Sequence, residues 1–446
     1  MPTTPPGPRG AFALRLLALA FLRDRLAPLK DVADRFGDVS FFTIAGAPYA
    51  LLNHPDHVRD VLVTRNRQFH KGAGLERAQV LLGKGLLTSE DDQHQRQRRL
   101  IQPAFHRERI QGYAETMVSF ADRFASRWQG GETRDIAHEM AMLTLAIAGK
   151  TLFDTDVEDR ADVIGSAVTQ ALAAFNIVMM PYGERLVNWP IPPARRFRAA
   201  KARLDAVVYQ MIAERRASGA VGRDVLSTLV AVRDEEAHGA GMTDVEIRDE
   251  VMTLLLAGHE TTANALTWTW YLLSKHPDAR NLLEAEVTRV CGARLPTLGD
   301  LPSLAYTRAA LSESMRLFPP AYLLGRRALE EYAVPGTDYV LPPRTVVFLS
   351  QYLLHNDARF WDRPDAFRPG RWLDGEPATH RYAYFPFGAG PRICIGEQFA
   401  WMEAVLVLAT IARRWRLDLD PGQKIGIQPT ITLRPKYGMR MQMTPR

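Results

Sequence analysis

FGAGPRICIG, residues 387–396, decides how this chain is read. It spaces Phe387, Gly390, Arg392, Cys394 and Gly396 as F-x-x-G-x-R-x-C-x-G. At this composition, with two cysteines available, the pattern arises by chance in roughly 4 of 100,000 chains, so it carries information. A tight Gly-rich turn presents the thiol where backbone N–H groups can surround the sulfur, and a helical pattern starts just beyond, at Glu397. Such an electropositive setting favours a thiolate. The plain alternative is a buried structural cysteine, the common fate of a lone thiol. A cysteine hydrolase would need a base, and no local motif pairs one with Cys394.

The rest of the composition sets bounds. With 446 residues, 46% of them hydrophobic, the chain can build a large core, and its length allows more than one domain. Cys291 and Cys394 are the only cysteines, which excludes a disulfide framework and fits a reducing compartment. The balance of 56 basic and 50 acidic residues gives a net charge of +6. Basic residues are scattered and not interleaved with stacking aromatics, so a nucleic-acid partner is not expected. The run RQRR at 96–99 suits a local anion better than a long phosphate backbone. Residues 11–22 are apolar but interrupted by Arg15, and a bilayer span needs about 20 apolar residues. No integral membrane anchor is expected, although the stretch could lie on a membrane surface as an amphipathic helix.

Helical periodicity marks 56–65, 93–101, 110–128, 157–180, 194–216 and 397–414. Strand-like alternation is confined to 39–52, 334–353 and 425–443, each broken by Gly or Pro. No repeat or low-complexity linker divides the chain. The expected fold is mainly α with small β-sheets, an α+β arrangement: a large helical domain plus a smaller β-rich region, with sheets drawn from distant segments. Residues 177–181 and 189–193 read as a helix-loop-helix lid between two long helices.

A second segment adds chemistry. Thr243 and Glu246 form a capping box, and helical periodicity then runs to Lys275, before Pro277. A helix of that length spans roughly 48 Å. AGHETT, residues 257–262, sits in its middle. Ala257 and Gly258 clear one face, and Thr261 falls on it. With Glu260 adjacent, hydroxyl and carboxylate can interrupt the helical ladder and hold water. The bland reading is that Glu260 pairs with a base while Thr261 bonds back to a carbonyl. A zinc-protease reading needs H-E-x-x-H, and Ala263 stands where the second His is required.

Together the two segments resemble the cytochrome P450 family, and further matches extend the resemblance over most of the chain. It implies a cytochrome P450 fold, one catalytic domain over residues 1–446 without a fused reductase, and haem b (iron protoporphyrin IX) ligated through Cys394. Thiolate donation to haem iron favours O–O cleavage. Phe387 would shield the sulfur, and Gly396 would complete the loop. Glu260 and Thr261 match the family's acid–alcohol pair, which relays protons to dioxygen at the haem. His94, Arg98, Arg326 and Arg392 would bind the propionates, with Arg327 competing for the place of Arg326. Glu313 and Arg316, spaced i,i+3, resemble the E-x-x-R element. Arg371 in FRPGRW is its third partner, although Gly370 and Trp372 depart from the family's pattern. By family position, Leu86, Leu87, Phe175, Leu254, Ala257, Ala321, Tyr322, Leu323 and Leu324 line the substrate pocket. A G-x-G-x-x-G dinucleotide site is begun at Gly388 and Gly390 but not completed.

The resemblance therefore implies an oxidoreductase, a monooxygenase inserting one oxygen atom from O2 into a hydrophobic small molecule: a terpenoid, fatty acid, steroid or macrolide-like compound. Electrons would come from a ferredoxin or flavodoxin with its NAD(P)H-dependent reductase, to a cytoplasmic monomer. A peroxygenase or isomerase on the same fold, or a haem gas sensor without turnover, are the alternatives. Family members of the first two types typically lack the acid–alcohol pair.

Overall fold

The computed structural model describes residues 3–44, 46–154, 170–171, 176–179, 183–219, 222, 224–234, 239–373, 375 and 378–446. The chain forms two compact units, each assembled from three separate segments. One unit comprises Met1–Glu76, Ala309–Cys394 and Ile425–Tyr437; the other comprises Arg77–Arg308, Ile395–Lys424 and Gly438–Arg446.

The first unit is built on a five-stranded sheet. Its strands run in the order Val39–Ile44, Ala47–Leu52, Val346–Leu349, Leu324–Ala328 and Phe69–Lys71. The first two form an antiparallel hairpin in register from Val39↔Leu52 to Ile44↔Ala47, with Gly46 at φ 79° supplying the turn. Ala47–Leu52 pairs parallel with Val346–Leu349, and the remaining pairings are antiparallel. Leu17, Leu29, Val32, Phe42 and Leu51 make one apolar cluster in this unit. A second cluster gathers Val58, Val61, Phe69, Tyr332, Leu349 and Trp361.

The second unit is helical around Asp244–Lys275, whose Thr243–Glu246 capping box is complete. Ile136–Phe153 packs along this helix more extensively than any other element does. It was not expected from periodicity because IAHEMAMLTLAIAGKTLF is apolar nearly all round, leaving no amphipathic contrast. Among the described residues it alone is long and apolar enough to cross a membrane, but it is 67% buried. Pro192–Ser218 and Glu397–Arg414 pack against the central helix, Asp91–Ile101 reaches it through the Arg96–Glu246 ion pair, and a three-stranded sheet joins Thr133–Asp135, Arg440–Pro445 and Trp415–Leu419.

Several expectations are corrected. The helix expected over 110–128 divides into Arg107–Gln111 and Ala114–Ala125 around Gly112, a poor helix former. Residues 56–65 form Pro55–Arg59 followed by a π-helical turn, Asp60–Thr64. The strand region 334–353 holds short strands and then a helix, Gln351–His355. Much of 157–180 lies outside the described residues. Of the expected lid, Asn176–Met179 and Gly183–Leu186 are short helices, Ile177 and Val178 are buried, and Trp189 is 58% exposed.

Candidate active site

The expected site residues fall in both units, and each set is described within its own. In the first unit the thiol loop is closed by its own backbone. The Cys394 N–H donates to the Phe387 carbonyl at 3.0 Å, Ile393 N–H to Gly390 at 3.0 Å and Gly388 N–H to Phe385 at 2.9 Å. Gly390 is at φ 71°, and a Cβ there would stand 1.9 Å from the Leu62 carbonyl oxygen. Glycine is therefore required both for the left-handed backbone and for close approach to the π-helical turn. Phe387 and Arg392 are half-buried, and Cys394 is exposed. Cys291 is buried, and burial pushes its thiol up. The helix Glu397–Arg414 begins three residues after Cys394, with Gly396 as its N-cap residue.

Beneath the loop lies a charged scaffold. Glu313 and Arg316 are both 0% exposed and meet through two hydrogen bonds of 2.9 and 3.0 Å. Glu313 collects five donors in all, the others being the Arg371 Nε, the Arg368 N–H and the Trp372 indole N–H at 3.1, 3.0 and 2.8 Å. Trp372, a departure from the family's pattern, is thus a partner of the buried carboxylate. Burial draws the Arg371 guanidinium down, against the attraction of Glu313. Arg316 also donates to the carbonyls of His355, Pro364 and Ala366.

His355, which sequence reasoning missed, links this scaffold to the loop. It is fully buried, accepts the Phe385 N–H at its Nε2 (3.1 Å) and faces the Met315 carbonyl with Nδ1 (3.4 Å). Burial pushes its pKa down to about 3, so the ring is neutral at pH 7. Arg326 and Arg327 are now distinguished: Arg327 makes two bonds to Glu76, at 2.7 and 2.5 Å, whereas Arg326 is 7% exposed and donates to the Gly325 carbonyl. Of the pocket candidates in this unit, Tyr322 is packed with Leu26 and Leu433 and donates its hydroxyl to the Thr430 carbonyl. Ala321, Leu323 and Leu324 are half-buried.

In the second unit the central helix is buried on both flanks of AGHETT but opens at Ala257, Gly258 and Thr261. The expected interruption of its ladder is not present: Asp244–Lys275 is α-helical throughout, and the Thr261 hydroxyl donates back to the Ala257 carbonyl at 2.7 Å. Glu260 is buried at 8% exposure. His94 is buried on Asp91–Ile101, and Arg98 is half-buried one turn further on. The anion served by the neighbouring arginines is internal, since Arg96 and Arg99 both pair with Asp234 and Arg96 also pairs with Glu246. Leu86 and Leu254 are buried, Leu87 is 39% exposed, and Phe175 lies outside the described residues.

One further carboxyl was not anticipated. Glu403, on Glu397–Arg414, is 0% exposed, and among the described residues neither oxygen has a hydrogen-bond partner of ordinary geometry. Burial pushes its pKa up to about 8. The Thr262 hydroxyl beside it opposes this weakly, but donates to the Gly258 carbonyl at 3.4 Å.

Comparison with known proteins decides the family. The model of the cytochrome P450 family matches residues 5–441. The chain is a cytochrome P450. It is 42% identical over 401 residues to cyclooctatin synthase of Streptomyces melanosporofaciens, covering 89% of this chain and 86% of that protein. Cyclooctat-9-en-7-ol 5-monooxygenase of the same organism is 38% identical, with 86% and 84% covered. Pentalenene oxygenase of Streptomyces avermitilis is 34% identical, with 88% and 87% covered. The fold is accordingly the α+β cytochrome P450 fold, the protein an oxidoreductase, and its cofactor haem bound through a cysteine thiolate.

The residues present fit that group. An exposed cysteine on a loop that tolerates no side chain at Gly390 is a soft donor suited to iron. Arg326 and Arg392 in one unit, and His94 and Arg98 in the other, are of the type that pairs with carboxylates.

Proposed function

We propose that this cytochrome P450 is a monooxygenase acting on a polycyclic terpenoid hydrocarbon or alcohol, into which it inserts one atom of O2. The substrate class is taken from the relatives named for cyclooctat-9-en-7-ol and pentalenene, together with the apolar pocket candidates. The observation that carries the monooxygenase reading is the acid–alcohol pair, intact, with Thr261 on the stretch where the otherwise buried middle of the helix opens together with Ala257 and Gly258. A peroxygenase, an isomerase or a gas sensor has no need of it.

When bound, the haem supplies dioxygen activation and oxygen transfer. Cys394 would ligate the iron as thiolate, with Phe387 shielding the sulfur and the loop's hydrogen bonds fixing the direction of the thiol. Arg326, Arg392, His94 and Arg98 are the residues that would pair with the propionates. Thr261 turns its hydroxyl from the Ala257 carbonyl toward the reaction space and orders a water there, and Glu260 passes protons inward. Leu86, Leu87, Leu254, Ala257, Ala321, Leu323 and Leu324 exclude water around the substrate; Tyr322 contributes through packing. Glu313, Arg316 and Arg371 brace the loop. The whole chain acts as one catalytic domain, a cytoplasmic monomer reduced by a separate ferredoxin or flavodoxin and its NAD(P)H-dependent reductase.

The test is a reconstituted turnover with a surrogate ferredoxin and reductase, using cyclooctat-9-en-7-ol and pentalenene as probe substrates under labelled dioxygen. One labelled oxygen per product molecule is expected. Haem reduction and gas binding without product from any terpenoid would favour the sensor reading.

A further inference from the structure

Three consecutive charged residues near the start of the central helix do something the proton pathway does not need. Arg248, Asp249 and Glu250 are 4%, 7% and 0% exposed, and they reach the loop that follows helix Ala73–Leu82. Arg248 Nη2 donates to the Leu81 carbonyl at 2.9 Å. Asp249 accepts the Lys84 N–H at 2.7 Å, and Glu250 accepts the Leu86 N–H at 2.9 Å. Arg248 also binds Asp249 and, on Pro192–Ser218, Asp205. The loop is shaped for this grip. Gly83 is at φ 66°, and a Cβ there would lie 2.1 Å from the Asp249 carboxylate. A Cβ at Gly85 would lie 2.5 Å from the Thr253 hydroxyl. Burying carboxylates is costly, and here charge-assisted bonds to backbone N–H groups and a guanidinium offset the cost.

The position of Glu250 gives the grip a functional consequence. Glu250, Leu254, Ala257 and Thr261 follow one another at intervals of four, three and four residues, so they share one face of the helix. The face ends at the open stretch with the catalytic hydroxyl, about 16 Å from Glu250 at the helical rise. The Leu86 N–H is tied to the first member of this face, and Leu87, next to it, is 39% exposed.

We propose that Glu250 is a positioning residue for substrate selection. By holding the Leu86 amide it fixes residues 83–87 as the far wall of the substrate space and limits how bulky a polycyclic ligand can be while its reacting carbon reaches the oxygen site. The proposal rests on the monooxygenase reading above.

The test uses haem-loaded protein with Glu250→Gln, which keeps an acceptor of the same shape, Glu250→Asp, which withdraws the carboxylate by one methylene, and Glu250→Ala. Amide exchange is followed over residues 83–88, and dissociation constants for imidazole and clotrimazole are read from the Soret shift. Imidazole tests the iron alone, and clotrimazole tests the walls. In Glu250→Ala, loop exchange should rise at least tenfold and clotrimazole should weaken about tenfold, with imidazole changing less than twofold. Glu250→Asp should show the same changes to a smaller degree, and Glu250→Gln should restore wild-type values. Should Glu250→Ala fail to take up haem, Glu250→Asp carries the test. Unchanged exchange in Glu250→Asp, or faster exchange with an unchanged ratio of the two constants, would overturn the proposal and leave the monooxygenase reading standing. Equal weakening of both azoles would also overturn it. If neither azole shifted the wild-type spectrum, the monooxygenase reading itself would fall.

Discussion

Replacing Glu403 with Gln should change how stability depends on pH while leaving haem ligation alone. The Glu403 carboxyl is fully buried, with no hydrogen-bond partner of ordinary geometry among the described residues, and burial pushes its pKa up to about 8 from an ordinary 4.5 against the weaker pull of the Thr262 hydroxyl. Below pH 4.5 the folded and unfolded chains both carry the proton. Between 4.5 and about 8 the unfolded chain releases it and the folded chain keeps it, so stability falls as pH rises; above about 8 both are ionised and the slope ends. At about 1.4 kcal/mol for each tenfold change, the penalty is about 2 kcal/mol at pH 6 and on the order of 4–5 kcal/mol at pH 9. Gln keeps the shape and cannot titrate, so Glu403→Gln should gain about 2–3 kcal/mol on wild type between those two pH values. With an unfolding entropy of about 2.1 cal/mol/K per residue, a chain of this size converts that gain to about 3 °C in Tm. Melting curves followed by circular dichroism and by the Soret band, taken at half-unit steps from pH 6 to 9, would measure it. Parallel profiles for the two proteins would refute the reasoning, because they would mean that Glu403 is solvated or paired in solution.

Three further outcomes are expected. Reduced, carbon monoxide-bound protein should show the red-shifted Soret band of a thiolate complex, and Cys394→His should lose it; haem binding in wild type without that band would remove Cys394 as the ligand. Glu313→Ala should cost about 3–5 kcal/mol and most of the haem-loaded yield, because Arg316 and Arg371 are left buried without their carboxylate, whereas Trp372→Phe should cost about 1–3 kcal/mol, the value of one hydrogen bond to a charged group. Both are read by chemical denaturation, and a wild-type unfolding midpoint for Glu313→Ala would contradict the scaffold. Thr261→Ala should bind haem and substrate normally but release hydrogen peroxide and yield less product per reduced cofactor, while Glu260→Gln should slow the whole cycle; full coupling in Thr261→Ala would withdraw the role given to that hydroxyl.

Features set by local sequence were legible beforehand. The thiol loop and the capped central helix are specified by contiguous residues, and they were read at their correct positions. What was missed depends on partners far along the chain. Glu250 is 164 residues from the amide it holds, so nothing near it in sequence marks it as more than one charge on a helix. Trp372 read as a departure from a motif, yet its indole donates to the buried Glu313 carboxylate, a contact that pattern matching cannot supply. His355 looked like an ordinary histidine until burial and two backbone partners fixed its tautomer. The helix Ile136–Phe153 escaped because periodicity detects contrast between faces, and a helix buried all round has little. The expected break at AGHETT failed for another reason: the Thr261 hydroxyl bonds within the helix.

The threading of the chain has a consequence for its synthesis. Both units draw on residues made late: Ile427–Pro429 and Leu433–Pro435 belong to the first, and Arg440–Pro445 belongs to the second, where it pairs with both Thr133–Asp135 and Trp415–Leu419. The Met439 N–H donates to Asp135 at 2.8 Å, and the Leu433 N–H to the Pro320 carbonyl at 3.0 Å. A nascent chain therefore cannot finish one unit and then begin the other, as domains strung in sequence do on the ribosome. Each waits, with part of its core uncovered, until residues 425–446 emerge, so the growing chain depends on protection from aggregation for nearly the whole of translation.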